Sequence, residues 1–371
     1  MIVCFLSGDI TRSGGTEKVA CQIMNALCLN YDIKVISLVE KENKTFYPLS
    51  ERIRRISLFI KQPKGITQYF KIIWAIRKEI RKADILVDID TILDIFSVPA
   101  IIGLKTKLVA WEHFNFGESM GNRLRIPFRK IFTRMADYVV TLTKEDQAEY
   151  QRQFSCKERI GQIYNPTGQI EHNKLYDINS KTIISVGRLA FQKGFDLLLD
   201  VAKIVLPKHQ DWQWIILGDG PERCHLEEKI NNDIDLANVK LLGRVTNVNE
   251  YLAKSAIFVL TSRYEGFPLC LIEAKASKLP IVSFRCKTGP SELVRDSING
   301  YLVDCFDLNI MTDKIEKLIN DNEQRQAFSD NALMDTDKME LNNIKRQWME
   351  VFDYLSNDDY KNTSYEYGCK E

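Results

Sequence analysis

IFVLTSRYEGFPLCLIEAKASKLPIVSF, residues 257–284, is the stretch whose reading decides the fold. An apolar run of strand length meets a Gly-Phe-Pro turn, a helical stretch from Leu269 to Ser277, and then a second apolar run. Strand, helix and strand in so short a span make a βαβ unit, because parallel strands need a helical crossover and, buried on both faces, read as continuous apolar segments. The same alternation extends outward in both directions. TIISVG, WQWIILG and VKLLG precede it, and IVCFLS, DIKVISLV, DILVDI and LVAWEH occupy the amino-terminal half. The spacing predicts α/β architecture with doubly wound parallel sheets.

At 371 residues the chain is long for one domain, and two are expected. A polar stretch, QIEHNKLYDINSKT, separates the halves, so the expected organisation is a first Rossmann-like domain over 1–170 and a second over 171–337. A last helix over 338–356 should cross back to brace the first domain, its apolar residues Leu341, Ile344, Trp348, Val351, Phe352 and Leu355 falling at helical spacing. A polar tail follows over 357–371. Two such domains would face each other across a cleft lined by the carboxyl ends of their strands.

Composition narrows the class. Apolar residues make up 45% and charged residues 27%, enough for two cores and unlike a disordered or fibrous chain. The nine cysteines are scattered, without a C-x-x-C pair or a histidine at zinc spacing, which suits a reducing compartment. MIVCFLSGDI lacks a basic n-region, and no run approaches the ~18 apolar residues of a membrane span, so a cytoplasmic protein is expected. Net charge is +1, but residues 1–180 hold 27 basic and 20 acidic side chains against 24 and 30 in 181–371. Within 51–136 the count is 17 to 8, a local excess that points to an anionic partner.

Glu265 follows a strand, and Glu273 is expected about two turns into the next helix. Two carboxylates flanking a helix amino terminus suit a nucleotide diphosphate sugar: free amides and the helix dipole favour phosphate, and carboxylates accept from sugar hydroxyls. The run E-G-F-P-L-x-x-x-E-A, unbroken here from Glu265 to Ala274 and followed by G-P-S-E and N-G, resembles the family 4 glycosyltransferases, retaining enzymes of the GT-B architecture. That resemblance implies that Glu273 holds the ribose hydroxyls and Glu265 contacts the donor sugar near its reacting end. The intervening Gly266, Phe267, Pro268 and Leu269 would line the donor. Lys275, Ser277, Arg285 and Lys287 depart from the family's usual residues and bear on donor choice.

Arg188 and Lys193, in SVGRLAFQKGFD, emerge after the first strand of the second domain and can steady a departing pyrophosphate without a metal. The resemblance implies the same. In RSGGTEK the missing side chains of Gly14 and Gly15 permit a close backbone approach, and the family context makes Gly15 a donor-phosphate contact. His113 stands at a strand's carboxyl end in WEHFN, and the resemblance implies that it lies near sugar and acceptor, binding and orienting rather than acting as an obligatory base; Glu112 is its neighbour. Asp88 and Asp90 look like a D-x-D metal motif, but their apolar setting, ILVDIDTILDIF, reads as strand-end carboxylates. No metal and no cofactor are expected.

Residues 64–82 and 123–134 mix apolar with basic side chains, among them Lys71, Lys78, Arg125, Arg129 and Arg134. Such helices can lie on anionic lipid or grip a lipid-linked pyrophosphate. The family resemblance implies, and this charge pattern agrees with, transfer of a hexose or N-acetylhexosamine from a UDP-sugar to a glycan, lipid-linked acceptor, in cell-surface polysaccharide synthesis at the inner face of the membrane. No nucleic acid is expected as partner. A nucleotide-sugar epimerase of the same shape and a non-catalytic partner subunit are the alternatives. A nicotinamide-dependent dehydrogenase is disfavoured, because no G-x-G-x-x-G follows the first strand of either domain.

Overall fold

The computed structural model describes residues 1–61, 66–119, 121–155, 158–168 and 176–357. Lys64, the predicted boundary at 170/171 and the tail beyond 357 lie outside them. The chain divides into two compact units, one formed by Met1–Pro166 with Glu340–Glu371 and the other by Thr167–Met339.

The first unit is built on a seven-stranded sheet of β1 (Ile2–Ser7), β2 (Asp32–Val39), β3 (Arg54–Phe59), β4 (Ile85–Ile89), β5 (Lys107–Trp111), β6 (Tyr138–Thr141) and β7 (Ile160–Gln162). Its order is β3-β2-β1-β4-β5-β6-β7, every pair parallel. Helices α1 (Gly15–Leu27), α2 (Ile66–Ile80), α3 (Asp94–Ile101), α4 (Arg125–Phe132) and α5 (Lys144–Phe154) connect the strands. The second unit repeats the plan with β8 (Thr182–Val186), β9 (Gln213–Leu217), β10 (Val239–Gly243), β11 (Ile257–Leu260), β12 (Ile281–Phe284) and β13 (Gly300–Val303), ordered β10-β9-β8-β11-β12-β13. Its helices are α6 (Phe195–Val205), α7 (Arg223–Asn232), α8 (Val248–Ala253), α9 (Leu269–Ala276), α10 (Pro290–Leu293), α11 (Leu308–Asn320) and α12 (Asn322–Asp330).

Burial explains the pattern. All five residues of β4 and all four of β11 are buried at the middle of their sheets, whereas the edge strand β3 has none. Each sheet reverses its order beside its first strand, between β1 and β4 and between β8 and β11. The loops leaving those strands diverge there, opening a crevice at the carboxyl ends where α/β sheets bind ligands.

The last helix, α13 (Leu341–Ser356), belongs to the first unit and packs on α1. Trp348 and Phe352 are wholly buried along its apolar stripe. The Trp348 ring meets Trp111 edge-on at 4.7 Å, and Phe352 meets Tyr31 at 5.4 Å.

Candidate active site

In the second unit, the loops after β8 and β11 bring Lys193 and Glu265 together at the sheet's reversal point. Lys193 Nζ lies 2.6 Å from Glu265 Oε1, and Ser262 Oγ donates to the same oxygen at 2.6 Å. Burial opposes the lysine's charge, but the adjacent carboxylate outweighs it and holds the pKa above its ordinary value. Gly194, at φ 63°, makes this approach possible: a Cβ there would stand 2.2 Å from the Thr261 carbonyl.

Two residues that sequence reasoning missed hold these loops together. Arg263 forks onto Asp196 through Nη1 at 2.8 Å and Nη2 at 2.6 Å, and its guanidinium stacks 4.0 Å from the Phe191 ring centroid. An arginine two residues before Glu265 was the available signal; its partner, 67 residues away, was not.

Gly266, Phe267 and Pro268 are buried in the turn after Glu265, and Pro268 caps α9, which begins at Leu269. Glu273 is half-buried four residues into α9, one turn from its start rather than the expected two. The helix starts at Leu269, as expected, and at ~3.6 residues per turn its fifth residue lies little more than one turn in. Arg188, on the β8 loop, is exposed.

The first unit gathers its own residues at strand ends. Gly15 opens α1 and is exposed, with Gly14 as cap. The Glu17 carboxylate folds back over that end: a Cβ on Gly14 would fall 2.2 Å from Glu17 Oε2. Burial raises the pKa of Glu17.

His113, just past β5, is 7% exposed, its ring 4.4 Å from Trp111 and its Nε2 without a hydrogen-bond partner. Burial pushes its pKa down to about 3, so the imidazole is neutral near pH 7 and a poor base. Glu112 does not serve it. The Glu112 side chain, fully buried, takes Arg129 at 2.9 Å, Tyr150 at 2.5 Å, Thr91 at 3.0 Å and the Phe114 amide at 3.0 Å. Burial disfavours its charge, yet Arg129 and Arg125 keep its pKa low.

The aspartates of the D-x-D sequence are used internally. Asp88 is buried and accepts from Ser97 at 2.7 Å; burial raises its pKa to about 7. Asp90, at φ 99°, receives Arg125 at 2.5 Å and the Ile92 amide at 3.1 Å. No metal-holding group of His, Cys, Asp or Glu occurs among the described residues. Arg125 and Arg129 thus face inward from α4 and are not part of the lipid- or pyrophosphate-binding basic face expected of residues 123–134. Leu124, Ile131 and Met135 are exposed instead.

Comparison with known proteins identifies the family. Residues 13–167 match the family described as Glycosyltransferase Family 4, and residues 169–334 match Glycosyl transferases group 1. An uncharacterized glycosyltransferase of Haemophilus influenzae is 33% identical over 94% of this chain and 98% of its own. The amylovoran biosynthesis glycosyltransferase AmsD of Erwinia amylovora is 29% identical over 93% and 98%. Among solved structures, HepE of Anabaena superposes with a TM-score of 0.79 at 20% identity, covering 95% of this chain and 99% of the other. With both family matches together spanning most of the sequence, and the two parallel-sheet units carrying the glutamate pair at a sheet reversal, this chain is a glycosyltransferase of family 4 with the GT-B fold.

Proposed function

We propose that the protein transfers a hexose or N-acetylhexosamine from a UDP-sugar to a lipid-linked glycan, with retention of configuration, in cell-surface polysaccharide synthesis. The observation that carries the reading is the Lys193–Glu265 pair, 2.6 Å apart, next to the amino terminus of α9. Amides at that terminus and the cations of Arg188 and Lys193 would take the diphosphate, Glu273 the ribose and Glu265 the sugar. On the first unit, Gly15 would approach the phosphates. His113, neutral and with an unpartnered Nε2, would orient a sugar hydroxyl rather than remove a proton.

Two relatives support the donor and acceptor classes. HepE of Anabaena is known in complex with UDP-glucose. A Campylobacter jejuni enzyme, 27% identical over 93% of this chain and 97% of its own, is named as an N-acetylgalactosaminyltransferase acting on an undecaprenyl-diphosphate-linked glycan. The reaction would need no metal, with fixed cations supplying the charge that a divalent ion supplies elsewhere.

A peripheral site at the inner face of an anionic membrane fits the outer stripe of α2, where Phe70 and Trp74 are exposed beside Lys71 and Lys78. No helix among the described residues is long and apolar enough to cross a membrane. The reading is tested by a thermal-shift screen of nucleotide sugars with and without EDTA. A donor at 100 times its dissociation constant should stabilise by ~2.7 kcal/mol, and EDTA should change nothing. Stabilisation by no nucleotide sugar, or only with a divalent ion, would refute it.

A further inference from the structure

Helices α9 and α10 lie side by side in the second unit and are joined at both ends. At their leading ends the two turns are zipped together. The Glu265 amide donates to the Lys287 carbonyl at 2.8 Å, the Thr288 amide donates to the Glu265 carbonyl at 2.9 Å, and Thr288 Oγ1 donates to the Gly266 carbonyl at 2.9 Å. Gly289, at φ 92°, lets the turns touch, since a Cβ there would lie 2.6 Å from the Gly266 carbonyl oxygen. At the trailing ends a single side chain makes the join. Lys275, 1% exposed on α9, donates from Nζ to the carbonyl of Leu293, the last residue of α10, at 2.8 Å.

A buried ammonium with one carbonyl acceptor is a costly way to fill space, and a methionine would occupy the same volume without desolvation. The carboxylate that acts on Lys275 electrostatically is already committed: Asp335 is paired with Arg295 at 2.5 Å and with Lys338 at 2.8 Å. What Lys275 supplies is the distal tie of the α9–α10 frame, whose proximal tie is the backbone of Glu265 itself.

We propose that Lys275 is a positioning residue for donor binding: by fastening α9 to the end of α10 it holds the 287–289 turn against Glu265 and Gly266, and so fixes both glutamates around the nucleotide sugar. This rests on the reading that α9 and its preceding turn hold the donor.

The test compares the full-length protein with Lys275→Met, Lys275→Gln, Lys275→Arg and Glu273→Ala, using UDP as probe in calorimetric titration and melting temperature as the measure of folding. Lys275→Met should melt no lower than wild type while its UDP dissociation constant rises by about tenfold, and Lys275→Arg, which keeps a cationic donor, should recover most of that loss. Should methionine prevent folding, Lys275→Gln is judged by the same criteria. UDP affinity in Lys275→Met equal to wild type would overturn the proposal. So would parallel losses of stability and affinity that arginine does not recover, which mark a merely structural lysine. If Glu273→Ala also binds UDP like wild type, the donor-site reading fails and not this inference alone.

Discussion

Replacing Glu265 with glutamine isolates the electrostatics of the site. Glutamine keeps the volume and can still accept from Lys193 and Ser262, both 2.6 Å from Oε1, but it removes the countercharge of an ammonium whose side chain is only 17% exposed. Removing one partner of a buried ion pair costs ~3–5 kcal/mol. The upper limit has an independent origin, because Lys193 can shed its proton: neutralising an ordinary lysine at pH 7 takes about 3.5 pKa units, or ~4.8 kcal/mol. The retained hydrogen bond favours the lower end, about 3 kcal/mol, which for a unit the size of Thr167–Met339 lowers the melting temperature by ~6–12 °C. UDP should then act differently on the two proteins. On the proposed donor site, the diphosphate would share Lys193 with Glu265 in wild type, whereas in Glu265→Gln it would become the lysine's main countercharge. The melting shift produced by saturating UDP should therefore be larger in the variant, while transfer should fall with loss of the carboxylate. Differential scanning fluorimetry of both proteins with and without UDP reads this directly. Equal melting temperatures and equal UDP shifts would mean that Lys193 does not depend on Glu265, and the electrostatic account of the site would be wrong.

Trp348→Ala should cost ~3–5 kcal/mol in denaturant unfolding of the first unit, since the ring is wholly buried against Trp111 and Phe352; a loss under ~1 kcal/mol would show that α13 is not part of that core. His113 has a folded pKa of about 3 against ~6.5 when unfolded, so the folded state binds fewer protons between those values and its contribution to stability is present above pH 6.5 and lost as pH falls toward 3. Urea midpoints at pH 7.5, 6 and 4.5 should fall more steeply for wild type than for His113→Gln; parallel slopes would rule out a buried neutral imidazole. Lys275 has a pKa lowered to about 8 by burial, partly countered by Asp335 and reinforced by Arg295, so stability rises as pH climbs from 8 toward the unfolded value. Wild type should gain up to ~3 kcal/mol over Lys275→Met between pH 8 and 10.5, and no relative gain would place the ammonium in contact with water.

The parts of this fold that were legible in the sequence are those whose causes are local. Strands β4 and β11 read correctly because a strand covered on both faces is mostly apolar, β4 departing from this only at Asp88, which accepts from Ser97. The glutamate pair was legible because one turn and one helix carry both members. The depth of Glu273 was misjudged by a turn, although the helix start at Leu269 was read correctly and the helical period from it sets that depth. Other features depend on residues remote in sequence. Asp196 meets Arg263 only because β8 and β11 are neighbours in the sheet, and the inward turn of Arg125 is decided by Asp90, 35 residues earlier.

That inward turn changes how the basic first unit would engage a membrane. Counting charge treats every arginine as solvated, yet Arg129 is 1% exposed and Arg125 7%, each ion-paired to a carboxylate. What α2 and α4 leave outside is Phe70, Trp74 and Ile131, with Lys71, Lys78 and Lys130 between them. Each remaining cation contributes ~1 kcal/mol near an anionic surface and is screened by salt, whereas burying each large apolar side chain contributes ~1.5–3 kcal/mol that salt does not screen. The apolar share is thus the larger. Cosedimentation with phosphatidylglycerol-containing vesicles should therefore survive 0.5 M NaCl in wild type and fail at any salt in Phe70→Ser/Trp74→Ser, whose exposed positions leave folding intact. Binding abolished by salt alone, with the double variant unchanged, would return the surface to a purely electrostatic one and refute the aromatic assignment.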